Sequence, residues 1–112
     1  MNRHTVKDLL QLKRSGEKIT AVTCYDFFSA QAVQEAEIPL ALVGDSASMV
    51  VYGYDTTVPI TIDELILLVK AVLRGNSCSL IVADMPFMSY QVDVTEAVRN
   101  ACIFVKEAGV DA

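Results

Sequence analysis

Residues 40–61 read LALVGDSASMVVYGYDTTVPIT, and this stretch decides how the fold is organised. A run of apolar residues is followed by Gly44 and then by Asp45 and Ser46. A short apolar run of this kind is typical of a strand that is buried on both faces. Because burying an unpaired carboxylate is costly, we expect Asp45 at the solvent-facing end of that strand, with a partner close by.

Two further strands are predicted from similar runs on either side of this stretch. They are ITAVTC (19–24) and SLIVAD (79–84), and each leads to an acid, Asp26 or Asp84. Helical patterns separate the runs, and strands that alternate with helices predict a parallel sheet with right-handed crossovers. The fold class is therefore α/β, with its acids at the carboxyl ends of strands, where such folds bind ligands.

Helices are predicted over 5–16, 27–37, 61–76 and 93–109. Thr5 with Asp8 and Thr61 with Glu64 have the spacing of capping boxes, which mark helix starts. The last helix is expected to end at Gly109 and to carry one apolar face, formed by Val94, Ala97, Val98, Ala101, Val105 and Ala108. The residues after it, VDA (110–112), are typical of a strand that is beginning. Three strands alone leave an uncovered edge, so we interpret residues 1–112 as part of a larger domain, truncated before its fourth strand.

The composition indicates which classes of binding partner are unfavourable and in which cellular compartment the protein is expected. The 112 residues are 53% apolar and carry a net charge of −5, which argues against a nucleic acid or an anionic membrane as partner. No apolar run approaches membrane-spanning length. The three cysteines, Cys24, Cys78 and Cys102, have no metal-ligand spacing and are interpreted as reduced, buried thiols. We therefore expect a cytoplasmic protein.

The strand-end acids suggest a metal site. If the second and third strands are neighbours, Asp45 and Asp84 lie near each other, because paired strands are about 4.8 Å apart. Two carboxylates about 5 Å apart repel by roughly 3 kcal/mol at an effective dielectric of 20. A cation relieves this repulsion, and all-oxygen ligands favour Mg²⁺. The alternative is that these acids only cap helices or turns, which is the preferred interpretation for Asp26 and stays open for Asp45 and Asp84.

Ser46 is interpreted as an anion-binding group. It has no histidine or lysine at the spacing of a nucleophile motif, so its hydroxyl and backbone N–H are better suited to bind an anion. His4 lies in a polar N-terminal segment and is interpreted as a solvated residue without a functional role.

Four motifs together resemble the N-terminal part of the ketopantoate hydroxymethyltransferase family: VTCYD, LVGDSASMVVYGYDTTVPIT, KAVLRG and VADMPFMSYQ. The resemblance implies that residues 1–112 form the N-terminal portion of a single TIM-type (βα)8 barrel, with a bottom helix and the first three βα units. The chain departs from the family pattern after GDS, where Ala47 and Ser48 replace Leu and Gly. If that glycine requires a positive φ, Ser48 is expected to be strained.

The resemblance also implies an activity. Members transfer a hydroxymethyl group from 5,10-methylenetetrahydrofolate to 3-methyl-2-oxobutanoate through a Mg²⁺-stabilised enolate, giving 2-dehydropantoate for pantothenate and coenzyme A synthesis. Asp45 and Asp84 would be Mg²⁺ ligands, and Asp45, Ser46 and Asp84 would bind the keto acid. The general base is expected beyond residue 112, so the isolated 112 residues are expected to be inactive. Family members are cytoplasmic homo-oligomers, in many bacteria decamers.

Two alternatives remain at this stage. An acidic receiver-type phosphoacceptor domain also gathers aspartates and Mg²⁺ at strand ends, but it requires adjacent acids after its first strand. TCYD offers only Asp26 there. The weaker alternative is a non-catalytic segment that is kept for contacts within an oligomer.

Overall fold

Helices and strands alternate along residues 2–112, the part of the chain that the computed structural model describes. In chain order the elements are α1 (Val6–Arg14), β1 (Ala21–Thr23), α2 (Phe27–Glu35), β2 (Leu40–Val43), α3 (Ala47–Val50), α4 (Ile62–Gly75), β3 (Leu80–Ala83) and α5 (Val94–Ile103). A π-helical turn over Phe104–Ala108 continues α5. The four predicted helices and the three complete strands are present, most of them a few residues shorter than their sequence patterns, and residues 110–112 do not form a strand.

The three strands form one parallel sheet in the order β1-β2-β3. In the register of β2 with β3, Leu40 lies opposite Leu80 and Val43 lies opposite Ala83. The α/β class and the parallel pairing are thereby confirmed. Strands that are consecutive in sequence are also neighbours in space.

One face of the sheet is covered by α2 and α4. Ala41 and Val43 of β2 and Ile81 of β3 are fully buried beneath these helices. The helices contribute Ala30, Val33, Leu65, Ile66, Val69 and Val72 to the same core. All three residues of β1 are exposed, so the core is centred on β2 and β3.

Local hydrogen bonds explain where the helices begin. The predicted capping boxes Thr5–Asp8 and Thr61–Glu64 are both formed. The Asp26 carboxylate accepts a hydrogen bond from the backbone N–H of Ser29 at 2.7 Å, and this bond lowers the pKa of Asp26. Asp26 is thus a helix cap, as the sequence indicated. Gly109 has a φ of 87°, which suits the glycine that ends a helix.

The apolar face of α5 is largely exposed, and the prediction of buried cysteines is wrong for Cys78 and Cys102. Val94, Val98 and Val105 are 79%, 57% and 58% exposed, because α5 meets α4 mainly through the π-helical turn, where Phe104 is buried. Of the cysteines only Cys24 is buried, and Cys102 is exposed on α5. Helical periodicity identifies an apolar face, but it does not say which neighbour covers it.

The segment between β2 and α4 contains the short helix α3. Ser48 lies inside α3 with a helical backbone, and the non-glycine residues with positive φ among residues 2–112 are Glu37 and Met88. The Ser48 side chain is fully buried and its Oγ donates to the carbonyl of Thr56 at 2.7 Å. The expected strain at Ser48 is therefore absent.

Both ends of the described chain lie against the region of β3. The backbone N–H of His4 donates to the carbonyl of Cys78, just before β3. The N–H of Ala83 donates to the carbonyl of Ala112 at 3.0 Å, so residues 110–112 lie beside this strand. None of the helices within residues 2–112 is both long enough and apolar enough to cross a membrane.

Gly75 allows α4 to approach α2. A Cβ at this position would lie 2.5 Å from the carbonyl oxygen of Phe27 and 3.0 Å from the Cβ of Ala30. A Gly-to-Ala change inside a helix normally stabilises by about 0.5–1 kcal/mol, but here the backbone must move. We predict that Gly75→Ala in the complete chain lowers the free energy of unfolding by about 1–3 kcal/mol, measured by urea titration.

Arg74→Ala is the matched control, because Arg74 is exposed on the preceding position of the same helix. It should change the free energy of unfolding by less than about 0.5 kcal/mol. A Gly75→Ala protein as stable as the Arg74→Ala protein would show that the two helices are not in close contact at this point.

Candidate functional site

The carboxyl ends of β2 and β3 lie side by side. The ladder continues past the strands, since the N–H of Asp84 donates to the carbonyl of Val43 at 3.1 Å. Asp84 directly follows β3, and Asp45 follows β2 after Gly44. The condition set by the sequence, that these two strands are neighbours, is met.

Asp45 and Asp84 are connected by a hydrogen bond. The backbone N–H of Asp45 donates to Oδ2 of Asp84 at 2.9 Å. Both residues are half-buried. The bond fixes the Asp84 carboxylate at the turn after β2, because a charge-assisted hydrogen bond is about twice as strong as a neutral one.

Gly44 lies beside two polar side chains, those of Asp84 and Ser46. A Cβ at this position would lie 3.1 Å from Oδ2 of Asp84 and 3.3 Å from Oγ of Ser46. The two oxygens therefore approach the same point above the Gly44 backbone. A side chain at this position would crowd both oxygens, so glycine allows them to lie close together.

Tyr25 joins the site from the end of β1, and the sequence interpretation missed it. Its hydroxyl lies 2.5 Å from Oγ of Ser46. The N–H of Cys24 donates to the carbonyl of Leu42, so the chain just before Tyr25 runs beside β2. The sequence did contain a signal for Tyr25, namely a tyrosine just after a predicted strand. A half-buried tyrosine hydroxyl usually has a hydrogen-bond partner, so a polar contact at this strand end could have been expected.

The structure therefore brings Asp45, Ser46 and Asp84 together and leaves other candidates apart. Asp26 is exposed and occupied as the cap of α2. His4 belongs to the amino-terminal side of β3, through its bond to Cys78. Burial raises the pKa of the neighbouring Cys24 thiol, and the charge of Asp26 adds to that effect.

The loop after α3 is fixed to the start of α4 by two tyrosines. Tyr52 donates its hydroxyl to the carbonyl of Glu64 at 2.8 Å, and Tyr54 donates to the Glu64 carboxylate at 3.0 Å. The second bond raises the pKa of Tyr54. The bond from Ser48 to Thr56 adds a third attachment. These contacts fix the position of the segment between Ser46 and the start of α4.

The donor atoms are compatible with a hard divalent cation. Within residues 2–112 no group of three or more His, Cys, Asp and Glu side chains is arranged to hold a metal. The turn after β2 and the end of β3 thus bring two acidic residues, Asp45 and Asp84, next to each other, and no third His, Cys, Asp or Glu in the described residues is grouped with them. Mg²⁺ is commonly bound in this way, by one or two carboxylates with its remaining positions taken by water and substrate oxygens.

Comparisons with known proteins agree on one family. A family model described as ketopantoate hydroxymethyltransferase matches residues 3–112. The 3-methyl-2-oxobutanoate hydroxymethyltransferase of Frankia alni is 53% identical over 111 residues, which are 99% of this chain and 37% of that protein. The protein of the same name from Carboxydothermus hydrogenoformans is 52% identical over 112 residues, or 100% of this chain and 41% of that protein. The protein of the same name from Listeria monocytogenes is 50% identical over 105 residues, which are 94% of this chain and 38% of that protein.

These relatives are considerably longer than the present chain. The 112 residues span about two fifths of the curated relatives' length, between 37% and 41% of the proteins named above.

The close approach of Asp84 and Ser46 to Gly44 generates a prediction. Gly44→Ala places a methyl group against Oδ2 of Asp84 and Oγ of Ser46, so both side chains must move by a few tenths of an ångström. We expect the hydrogen bond between Asp45 and Asp84 to weaken. Amide hydrogen exchange, followed by mass spectrometry on a peptide that covers residues 43–49, should become faster in the complete chain. Unchanged exchange in this peptide would contradict the described geometry.

Proposed function

The chain belongs to the ketopantoate hydroxymethyltransferase family, and on this basis we propose that the complete protein transfers a hydroxymethyl group from 5,10-methylenetetrahydrofolate to 3-methyl-2-oxobutanoate. The product is 2-dehydropantoate, an intermediate on the route to pantothenate and coenzyme A. The observation that carries the proposal is the bond between Asp45 N–H and Asp84 Oδ2, with Ser46 Oγ close to the same point beside Gly44. Family membership supplies the identity of the reaction, and the geometry supports its location.

The proposed architecture is the N-terminal portion of a single (βα)8 barrel, comprising residues 1–112. Its support is the strand order β1-β2-β3, since consecutive parallel strands of such a barrel are neighbours. The exposed β1 and the edge of β3 are the places where further strands would pair. We assign α1 to the bottom of the barrel, which agrees with the contact of His4 at the amino-terminal side of β3.

The same strand order argues against a receiver-type domain. Doubly wound domains of that class have the order 2-1-3-4-5, in which β1 lies between β2 and β3. Here β2 is the central strand of the three. Asp26 is a helix cap and is not one of a pair of adjacent acids.

We propose that Asp45 and Asp84 hold Mg²⁺ together with oxygens of the keto acid. When bound, the cation would supply Lewis-acid stabilisation, worth several kcal/mol, of the negative charge that develops on the keto oxygen. The contribution of the chain is to hold the carboxylates in place beforehand. For Asp84 this is supported by its bond to the Asp45 backbone.

Ser46 is the proposed ligand of the substrate carboxylate. Its Oγ and Oδ2 of Asp84 both lie close to the Cβ position of Gly44, which would let one keto acid contact both side chains. A hydrogen bond to a charged group contributes about 1.5–3 kcal/mol, enough to orient a small anion. Ser46 is given no covalent role.

We assign the removal of the C3 proton to a general base that lies outside residues 1–112. The carbanion formed at C3 would then attack the methylene carbon of the folate co-substrate in its iminium form, so that the new C–C bond forms as the C=N π electrons return to nitrogen. Water would supply the hydroxyl oxygen as the remaining C–N bond breaks and tetrahydrofolate leaves. Residues 1–112 would thus provide metal and substrate binding, and the isolated segment is expected to be inactive.

A cytoplasmic homo-oligomer, in many members of the family a decamer, completes the proposal. The exposed apolar residues of α5, Val94, Val98 and Val105, are consistent with further packing in the complete protein. The net charge of −5 disfavours nucleic-acid partners, which is consistent with the proposal that the partners are small-molecule substrates.

Asp84→Asn tests the proposed metal site. An asparagine oxygen can still accept the bond from Asp45 N–H, so the fold should be retained while the ligand charge is lost. We predict that Mg²⁺-dependent binding of 3-methyl-2-oxobutanoate to the complete protein weakens at least about tenfold, or 1.4 kcal/mol, in isothermal titration calorimetry.

Asp26→Asn is the matched control, because it changes another strand-end acid in the same way. Asparagine caps helices about as well as aspartate, so α2 should remain intact and binding should be unchanged. Equal losses of binding in the two variants, or an Asp84→Asn protein that is destabilised but binds normally, would refute the assignment.

A further inference from the structure

Ser46 differs from the other residues that begin α-helices in the described chain. Thr5, Asp26, Thr61 and Asp93 each accept a hydrogen bond from the backbone of the helix that they cap. Ser46 precedes α3, and its side chain makes no such bond. Its hydroxyl is therefore not used to stabilise the helix, and within residues 2–112 its side-chain partner is the hydroxyl of Tyr25.

The Tyr25 side chain is held from both sides. The preceding residue, Cys24, is buried and its N–H is bonded to the carbonyl of Leu42. The following residue, Asp26, is the cap of α2. The ring of Tyr25 packs against the hydrophobic core, and its hydroxyl reaches Ser46 Oγ at 2.5 Å. The phenol oxygen therefore has a fixed position relative to the site.

The direction of this hydrogen bond decides what Ser46 can do. Each hydroxyl has one proton, so only one of the two oxygens donates across the contact. If Ser46 donated to Tyr25, it would have no proton left for an anionic ligand. A phenol is the stronger donor of the pair, so the favoured direction is from Tyr25 to Ser46. Ser46 then keeps its proton, and accepting one bond strengthens the bond that it donates.

We propose that Tyr25 is a positioning residue, which donates to Ser46 Oγ and thereby aims the Ser46 proton at the carboxylate of the substrate. This inference rests on the proposed function, in which Ser46 binds the keto acid. It extends the site from two strand ends to three: Tyr25 after β1, Ser46 after β2 and Asp84 after β3. Tyr25 itself acts only through Ser46.

A double-mutant cycle in the complete protein tests the proposal. Tyr25→Phe keeps the packed ring and removes only the hydroxyl. It should raise KM for 3-methyl-2-oxobutanoate about three- to tenfold. The value of kcat should be nearly unchanged, because the hydrogen bond from Ser46 to the substrate carboxylate is weakened equally in the substrate complex and in the transition state. Ser46→Ala should raise KM at least as much. The double variant should match Ser46→Ala alone, since Tyr25 has no effect without Ser46.

A purely structural role for Tyr25 predicts a different pattern. The effects of the two substitutions on KM would multiply, or kcat would fall together with the melting temperature, and either result would overturn the proposal. Tyr52→Phe is the control, because it also removes a phenolic hydrogen bond, to the carbonyl of Glu64, but outside the site. It should leave KM unchanged.

The same measurements separate this inference from the proposed function. If Ser46→Ala and Asp84→Asn both leave keto-acid binding intact, the proposed site is wrong. If those two variants lose affinity and Tyr25→Phe does not, the site stands and the positioning role of Tyr25 is refuted.

Discussion

The parallel register of β2 with β3 is the constraint on which the candidate site depends. Val43 lies opposite Ala83, and the ladder continues from Asp84 N–H to the carbonyl of Val43. A shift of one residue would turn the side chains of one strand to the other face and separate Asp84 from the N–H of Asp45. The register is itself stabilised by the core, because Ala41, Val43 and Ile81 are fully buried beneath α2 and α4. Apolar packing on one face therefore determines the positions of the polar groups at the strand ends.

Sequence patterns predicted those parts of the fold that are local or periodic. Capping boxes such as Thr61–Glu64 involve residues three positions apart, so their chemistry is visible without any tertiary information. The apolar runs that form the strands are also local patterns, so they too could be recognised without tertiary information. The alternation of strands and helices then implied parallel pairing. The proximity of Asp45 and Asp84 was predictable only under the condition that β2 and β3 are neighbours. The structure supplied that condition.

What could not be predicted depends on partners that are distant in sequence. The short helix α3 has too few residues for periodicity, and it is fixed by the bond from Ser48 to Thr56. The apolar face of α5 was recognised correctly. Its exposure was not, because the residue that enters the core is Phe104 in the π-helical turn, and the valines of the face remain exposed. Tyr25 was missed because its hydroxyl meets Ser46 across two strands, and no spacing along the chain encodes that contact.

One of the two proposed metal ligands, the Asp84 carboxylate, is held by an uncharged donor, and this affects cation binding. The Asp84 carboxylate is oriented by a backbone N–H, and within residues 2–112 neither it nor Asp45 forms an ion pair. A lysine or arginine partner would orient a carboxylate equally well, but it would neutralise the charge that attracts a cation and would compete with the metal. A backbone donor fixes the geometry and leaves the net charge in place. Ordering a side chain on binding costs free energy, and for Asp84 part of that ordering already exists in the folded chain. The same reasoning applies to Ser46 beside Tyr25, so the site is preorganised by hydrogen bonds that do not cancel the charge it presents.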